Sequence, residues 1–425
     1  MKKILALILL SSLAWAQQVP GNKQTKSILI TGGTAHIGNG TVLENSYISI
    51  KNGKIANISS TAITENHDWV INAKNKHIYP GFIAANSTLG LVEIDAVRAS
   101  DDESEIGDFN PNVRSSIAYN AESGITETAR PNGVLIGQIT PRGGRISGTS
   151  SIMQFDAWNW EDALIKEDDG IHVNWPSSYT YSWKEQKLQP NKKYSEQLEE
   201  LHQFFETAAL HKANENESPD LALLAMKPLL NGKTTLFVHV DNENEIIDLV
   251  QFTKKNNITK TVIIGGYYAF KVAEILKQNN IPVLLNRVHS LPQMADEDVN
   301  LPYKNASLLV KAGVLVGLQN AGDMERMQTR NLPFYAGTCA AWGLNKEEAL
   351  SLITKNSAEI LGISKDYGTL ENGKSATLFI SNGDALDMRT NLLEHAFIDG
   401  RTVILNDRQK ELYERYQTKY NTAKE

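Results

Sequence analysis

Thr235-Leu236-Phe237-Val238-His239-Val240 is the stretch that decides the fold, because it opens a regular alternation of strands and helices. Its apolar residues predict a buried strand, and Asp241 is placed to cap a helix that runs through Asn257. Strands that alternate with helices in this way favour a parallel sheet with crossover helices. The elements predicted next are the strand Thr261–Ile264, the helix Ala269–Gln278, the strand Pro282–Leu285, the helix Ala306–Lys311 and the strand Val314–Leu318.

A further helix is predicted after the last of these strands. Asn345-Lys346-Glu347-Glu348 has the spacing of a capping box, in which the first side chain and Glu348 each accept from the other's backbone amide. Gly362, after Leu361, is a typical helix-ending residue. We therefore predict one helix between the capping box and Gly362.

Both ends of the chain carry short β-strands. Asn52-Gly53, between the β-rich segments Tyr47–Ile50 and Ile55–Ile58, predicts a tight hairpin. Strand character returns from 369 to about 405, and the last residues are charged. The expected organisation is a signal peptide at 1–16, the first part of a β-sandwich at 17–80, a barrel at 81–367, the second part of the sandwich at 368–406, and a charged helix or tail at 407–425.

Composition and charge describe an ordinary globular protein with enough apolar material for a packed core. The chain has 425 residues, 41% hydrophobic and 21% charged, with a net charge of −7. These values exclude a disordered, fibrous or strongly basic nucleic-acid-binding protein. The single cysteine, Cys339, excludes a disulfide framework and a cysteine-clustered metal site.

The N-terminus has the three parts of a secretory signal peptide. Lys2 and Lys3 precede an apolar run from Ile4 to Leu13, and Ala14-Trp15-Ala16 ends it. The run is shorter than the roughly 20 residues that a membrane span needs. We expect an exported protein, periplasmic or extracellular, with no membrane span and a charge of −9 once residues 1–16 are removed.

One glycine-rich segment imitates a nucleotide site. Thr31-Gly32-Gly33-Thr34-Ala35-His36-Ile37-Gly38 looks like the phosphate turn of a dinucleotide-binding fold. That fingerprint requires a following helix whose N-terminus binds the pyrophosphate. A further strand follows here instead, so the sequence argues against a dinucleotide-dependent enzyme.

Several short motifs, in order, resemble the metal-dependent amidohydrolase superfamily, especially its imidazolonepropionase-like members. The resemblance covers nearly the whole mature chain. It implies a TIM-like (β/α)8 barrel beside a small β-sandwich built from both ends of the chain. The motifs are Gly53-Lys54-Ile55, Pro80-Gly81-Phe82-Ile83, Glu348-Ala349-Leu350 with Thr354, Ala358 and Leu361-Gly362, and Gly368, Leu370, Gly373-Lys374 and Ala376.

The resemblance also implies where metal ligands would lie, and this chain departs from that pattern. The two strand-one histidine positions fall on Asn86 and Thr88, and only His239 matches a family ligand. The next histidine position falls on Gly265 or Gly266, and the strand-eight aspartate on Asn320 or Ala321. A catalytic zinc keeps three protein ligands, so no metal or other cofactor is expected and the catalytic residues stay unassigned.

Other segments permit further sites. His289, after the strand Pro282–Leu285, is a secondary candidate for a rebuilt metal site around His239. The acidic run Asp101–Glu105 could bind calcium, although a solvated loop is favoured because the spacing of a calcium loop is missing. Gly143–Gly148, with Arg142 and Arg145, is either an anion-binding turn or a plain loop. The aromatic residues from Trp158 to Trp183 fit either ligand contact or packing.

Two functional hypotheses follow. The first is an exported pseudoenzyme that binds a ligand, such as a peptide-like or acyl amino acid molecule, or accompanies a homologous amidohydrolase subunit or a second copy. The alternative is an active hydrolase of carbon–nitrogen bonds other than peptide bonds, with a zinc-like ion held around His239. Neither hypothesis involves nucleic acid.

Overall fold

The computed structural model of the chain describes residues 19–211, 220–322 and 325–422. The predicted signal peptide at 1–16 lies outside these residues. Within the described ranges, no helix is both long enough and apolar enough to cross a membrane.

Within the residues that the structure describes, the strands form two eight-stranded sheets and one small hairpin. In chain order they are β1 (Ile28–His36), β2 (Val42–Lys51), β3 (Lys54–Ser59), β4 (Trp69–Asn72), β5 (His77–Pro80), β6 (Phe82–Ser87), β7 (Val134–Ile139), β8 (Ile146–Gln154), β9 (Leu164–Asn174), β10 (Tyr179–Ser182), β11 (Lys187–Pro190), β12 (Thr235–Val240), β13 (Thr261–Gly265), β14 (Val283–Leu285), β15 (Val316–Leu318), β16 (Leu378–Ser381), β17 (Leu393–Ile398) and β18 (Arg401–Thr402).

The α-helices range from single turns to 17 residues. They are α1 (Ser115–Ala118), α2 (Gly124–Glu127), α3 (Trp160–Ala163), α4 (Tyr194–Leu210), α5 (Leu221–Ala225), α6 (Lys227–Leu230), α7 (Glu243–Lys255), α8 (Ala273–Gln278), α9 (Leu301–Ala312), α10 (Glu325–Gln328), α11 (Leu332–Ala341), α12 (Lys346–Ser351), α13 (Lys355–Ile360) and α14 (Arg408–Thr422), with 3₁₀ turns at Arg98–Ser100, Arg130–Asn132, Ala269–Val272 and Thr329–Asn331.

The central sheet is a nearly closed barrel in the order β15-β14-β13-β12-β9-β8-β7-β6. A parallel bridge between Ala85 and Gln319 joins its two edges. Both faces of its strands are buried, as the near-continuous apolar runs predict. The predicted α/β barrel fold is therefore confirmed.

One barrel strand, β8, runs antiparallel to both of its neighbours. The loop 140–145 between β7 and β8 is too short for the dozen residues that a parallel crossover requires. The chain must therefore turn back in a hairpin. The loop consequently lies at the carboxyl end of β7, the end at which barrel proteins place their ligand sites.

The second eight-stranded sheet combines both ends of the chain. Strand β5 pairs with β16 in antiparallel register, with Ile78 opposite Ile380. Strands β1 to β4 extend the sheet on one side, and β17 and β18 extend it on the other. Its core contains buried isoleucine side chains from both chain ends, among them Ile30 and Ile380. The two terminal β segments therefore form one structural unit, packed beside the barrel.

The predicted alternation from Thr235 to Leu318 is present with small shifts of its boundaries, but the prediction that Asp241 caps α7 is wrong, because Asn242 is the N-cap residue and the Asp241 carboxylate accepts from Tyr267 and Asn286. The helix predicted at Ala306–Lys311 begins earlier, at Leu301, because Pro302 fits the first helical turn, where no amide donor is needed. The predicted helix Ala269–Gln278 opens with a 3₁₀ turn and becomes α-helical at Ala273.

The single helix predicted between the capping box and Gly362 is wrong, because the chain forms two helices there. The capping box of Asn345 and Glu348 is present. The helix nevertheless breaks after Ser351, because the carbonyl oxygens of Leu352 and Ile353 accept backbone hydrogen bonds from Leu318 and Ile83 of the barrel. Bonding to the barrel replaces the bonds that would have continued the helix.

Candidate functional site

The candidate site lies at the mouth of the barrel, where the loop 140–145 meets the end of β6. Arg142 donates from Nη1 to Asn86 Oδ1 at 3.0 Å and from Nη2 to the Asn86 carbonyl oxygen at 3.0 Å. Asn86 is fully buried and has φ of +50°, a left-handed conformation that asparagine tolerates better than most residues. The strand end is thus shaped to present two oxygen acceptors to the guanidinium.

Glu325, the first residue of α10, is the ionic partner of Arg142. The Arg142 Nη2 atom lies 3.0 Å from Glu325 Oε1, and the Glu325 side chain is only 7% exposed. The same carboxylate accepts from the Thr88 hydroxyl at 2.6 Å, from the Thr88 amide at 3.1 Å and from the Gly322 amide at 3.0 Å. The buried charge of Glu325 is therefore both paired and fully hydrogen-bonded, as such burial requires.

A second guanidinium covers this pair from outside. Arg326 donates to the Thr88 hydroxyl at 3.2 Å and to Glu103 at 2.9 Å, and it also pairs with Asp95. Burial raises the pKa of the Glu103 carboxyl, and the nearby Arg142 opposes that rise. The carboxylates of Asp95 and Glu103 are therefore engaged by an arginine of the mouth.

His239 has a histidine neighbour that the sequence analysis missed. His172 of β9 places its Nδ1 atom 3.2 Å from His239 Nε2. The two rings share one side of the sheet because His172 pairs with Phe237, two residues before His239. The run Ile171-His172-Val173 has the same pattern as Val238-His239-Val240, a histidine between two β-branched apolar residues, and this likeness could have identified His172 from sequence.

Both imidazoles are held neutral. Enclosure in the barrel, followed by the nearby charge of Arg142, lowers the pKa of His239 to about 3. Burial, His239 and Arg142 lower the pKa of His172 well below its ordinary value. A positive guanidinium and desolvation both disfavour the charged form of a histidine.

A buried chain of polar groups continues from His172 into the barrel. Ser150 Oγ lies 2.9 Å from His172 Nε2 and donates to Asp169 at 2.6 Å. Gln138 donates to the other Asp169 oxygen at 2.8 Å and accepts from the Asn86 amide at 3.1 Å. Burial raises the pKa of Asp169 to about 6, although the bonds from Ser150 and Gln138 lower it. This chain links the histidine pair to Asn86.

Gly265, a predicted ligand position, lies beside Asp241 and has no room for a side chain. Its φ is +100°, and a Cβ atom there would lie 2.7 Å from Asp241 Oδ1. Asp241 instead accepts from the Tyr267 amide at 3.0 Å and from Asn286 at 2.9 Å. Its neighbour Gly266 donates to the carbonyl oxygen of Val240. The mouth on this side is built from amide and carboxylate contacts.

Asn320 and Ala321 hold the segment that carries Glu325. Asn320 is buried and donates to the Glu325 carbonyl oxygen at 2.8 Å and to Thr329 at 3.2 Å. The Ala321 amide donates to Gln319 Oε1 at 2.6 Å. Asn320 thus positions the helix α10 from the strand-eight side of the barrel.

His289 takes other partners. Its Nε2 atom lies 2.7 Å from Thr338 Oγ1, and its ring packs edge-on against Tyr335. The structure therefore brings together Asn86, Thr88 and Asn320 around Arg142 and Glu325. It links His239 to them through His172, and it gives His289 a separate environment beside α11.

The donors at the mouth do not fit a divalent metal. Across residues 19–211, 220–322 and 325–422, no group of three or more His, Cys, Asp or Glu side chains is arranged to hold an ion. His172 and His239 contact each other, and the Arg142 guanidinium lies against Asn86 at the strand-one position. A bound cation would face a fixed positive charge and lack the three protein ligands that a catalytic zinc keeps.

The other sequence candidates also find partners within the chain. Arg145 donates to the Asn174 carbonyl oxygen at 2.7 Å, so both arginines of the suggested anion-binding turn contact protein groups. Only the end of the aromatic segment, from Tyr179 to Trp183, belongs to the hairpin β10–β11, and Trp183 in its turn is 86% exposed. Tyr179 and Leu188 of this hairpin line a cleft of about 660 Å³ together with Tyr268 and Met294. The cleft borders the loops that follow β9, β12, β13 and β14.

Comparison with known proteins finds relatives among amidohydrolases, although no family model matches the chain. An imidazolonepropionase of Flavobacterium psychrophilum is 29% identical over 112 residues, which is 25% of this chain and 27% of that protein. The amidohydrolase tasK of Hapsidospora irregularis is 34% identical over 137 residues, 29% of this chain and 14% of its own length. A 5′-deoxyadenosine deaminase of Methanobrevibacter smithii is 23% identical over 368 residues, 80% of each chain.

Solved structures give the same answer for the fold. An amidohydrolase from Thermotoga maritima superposes with a TM-score of 0.77 at 22% identity, over 89% of this chain and 99% of that one. A prolidase complexed with N-methylphosphonate-L-proline gives a TM-score of 0.56 at 14% identity, with the same coverage. With the barrel and the terminal sheet, these likenesses define an amidohydrolase fold.

The chain has the fold of the amidohydrolase superfamily. About a quarter of its sequence is similar to the imidazolonepropionases of that superfamily.

Proposed function

We propose that this chain is an exported member of the amidohydrolase superfamily that binds a ligand or a partner subunit and does not perform metal-dependent hydrolysis. One observation carries the proposal. The guanidinium of Arg142, paired with Glu325, lies against the position at which the family resemblance implies the first metal ligand. The mouth therefore already contains the positive charge that a metal ion would bring.

The histidine pair supports the same conclusion. A metal ligand must offer a free imidazole nitrogen, and second-shell groups normally orient the ring toward the ion. Here the Nε2 atom of His239 faces His172. The partner expected from the sequence analysis is a homologous amidohydrolase subunit or a second copy of this chain. Export rests on the N-terminal segment alone.

Active hydrolysis of carbon–nitrogen bonds is the second candidate. Hydrolysis is favoured by the similarity to proteins named imidazolonepropionase and amidohydrolase. The contact between His172 and His239 also places two imidazoles in one site. Rebuilding a metal centre from this pair would require a further ligand and displacement of the Arg142 charge.

Metal content of the purified mature protein separates the two candidates. We expect less than 0.1 equivalent of zinc, manganese or iron by elemental analysis, and no turnover of dipeptides, N-acyl amino acids or cyclic amides. His239→Ala provides the control for any metal that is found. A stoichiometric metal that disappears in His239→Ala, together with turnover, would overturn the proposal in favour of the hydrolase.

A further inference from the structure

The carboxylate of Glu325 occupies a site with the construction of an anion receptor. Its two oxygens accept hydrogen bonds from the Thr88 amide, the Thr88 hydroxyl, the Gly322 amide and Arg142, at 2.6 to 3.2 Å. These donors come from the end of β6, from the loop after β7 and from the segment after β15. Backbone amides combined with a guanidinium are the groups that recognise carboxylates most strongly.

The placement of these donors is that of a ligand site. All of them lie at the carboxyl ends of barrel strands, where (β/α)8 proteins bind their ligands. The Arg142 side chain is 21% exposed, so the protein covers it only in part. Two of the hydrogen bonds that hold Arg142 go to Asn86 and do not involve Glu325.

We propose that the mouth of this barrel is a carboxylate-binding site, which Glu325 fills from within the chain and which a small carboxylate ligand, such as an acyl amino acid, takes by displacing the Glu325 side chain. The inference rests on the proposed function, because it assigns the ligand class of the binding protein. The family resemblance implies that the mouth binds a metal cation. In this chain the same place would bind an anion.

Chemical replacement of the Glu325 side chain tests the inference. Glu325→Ala keeps Cβ and removes the remaining CH2–COO− group, for which acetate is the matching free molecule and acetamide the neutral control of the same shape. We expect acetate to bind folded Glu325→Ala at least 10-fold more tightly than acetamide in calorimetric titration, and to raise its melting temperature. The double variant Glu325→Ala/Arg142→Met should lose this preference. Equal binding of the two molecules, or no binding, would overturn the inference.

The wild-type chain decides the matter if Glu325→Ala does not fold. N-acetyl-leucine should then raise the melting temperature of the wild-type protein, and N-acetyl-leucinamide should not. An equal response to both molecules, or no response to either, would overturn the inference. A negative result in these carboxylate-binding tests would not change the conclusion drawn from the metal content, because elemental content does not depend on carboxylate binding. A stoichiometric metal would instead overturn the proposed function itself.

Discussion

Arg142 gives the barrel mouth its chemical character. It lies on the β7–β8 loop, contacts Asn86 and pairs with Glu325. Its charge also contributes to the lowered pKa values of His239 and His172. Arg142 therefore adds to the effect of burial on the two imidazoles, pairs with a buried carboxylate and opposes the binding of a cation.

Acid should destabilise the protein through His239. The pKa of His239 is lowered to about 3 in the folded chain, against about 6.5 when unfolded. Between these values the unfolded state binds more protons, so the free energy of unfolding falls as pH decreases below about 6.5 and is unaffected above it. We expect a loss of up to about 2 kcal/mol between pH 7 and pH 5, an upper value because the ring retains some solvent access.

Urea denaturation of the wild type and of His239→Gln at pH 7 and pH 5 checks this expectation. The variant lacks the titrating ring, so its stability should change less over the same interval. Equal changes in the two proteins would show that His239 does not contribute to the acid sensitivity.

At the scale of single elements, loop length decides what the barrel mouth contains. The turn between β7 and β8 is too short for a crossover helix, so β8 runs antiparallel and Arg142 is delivered to the carboxyl end of β6. In the same way, bonding of Leu352 and Ile353 to barrel strands divides one predicted helix into α12 and α13.

The capping box of α12 should contribute measurable stability. Asn345 Oδ1 accepts from the Glu348 amide at 2.9 Å, and Glu348 accepts from the Asn345 amide at 2.8 Å. We expect Asn345→Ala to lower the free energy of unfolding by about 1 kcal/mol, and Asn345→Ser, which keeps an acceptor, to cost clearly less. Chemical denaturation of both variants measures the difference, and equal losses would show that the cap is not the cause.

On the scale of the whole molecule, the two chain ends depend on each other. Strand β16 pairs with β5, and both contribute buried isoleucines to one core. The terminal helix α14, by contrast, is almost entirely exposed. We therefore expect the fold to require the C-terminal segment that contains β16 and to tolerate the loss of the helix α14.

Two truncations should separate these segments. A chain ending at Asp407 lacks only α14, and we expect its melting temperature to stay within about 3 °C of the full chain. A chain ending at Thr377 removes β16, so that β5 keeps only β1 as a neighbour and the core of the terminal sheet is exposed; it should not fold cooperatively. Thermal unfolding followed by circular dichroism distinguishes them, and a cooperative transition in the shorter chain would contradict the shared core.

The barrel fold and its main elements could be predicted from sequence because apolar periodicity, turn residues and capping patterns act over a few neighbouring residues. The family resemblance predicted that Asn86, Thr88, His239 and Asn320 lie near the mouth. The pairing of Arg142 with Glu325 and of His172 with His239 joins residues 183 and 67 positions apart. Only the closed barrel brings such residues together, because side-chain contact across strands depends on register and strand direction, which no local pattern encodes.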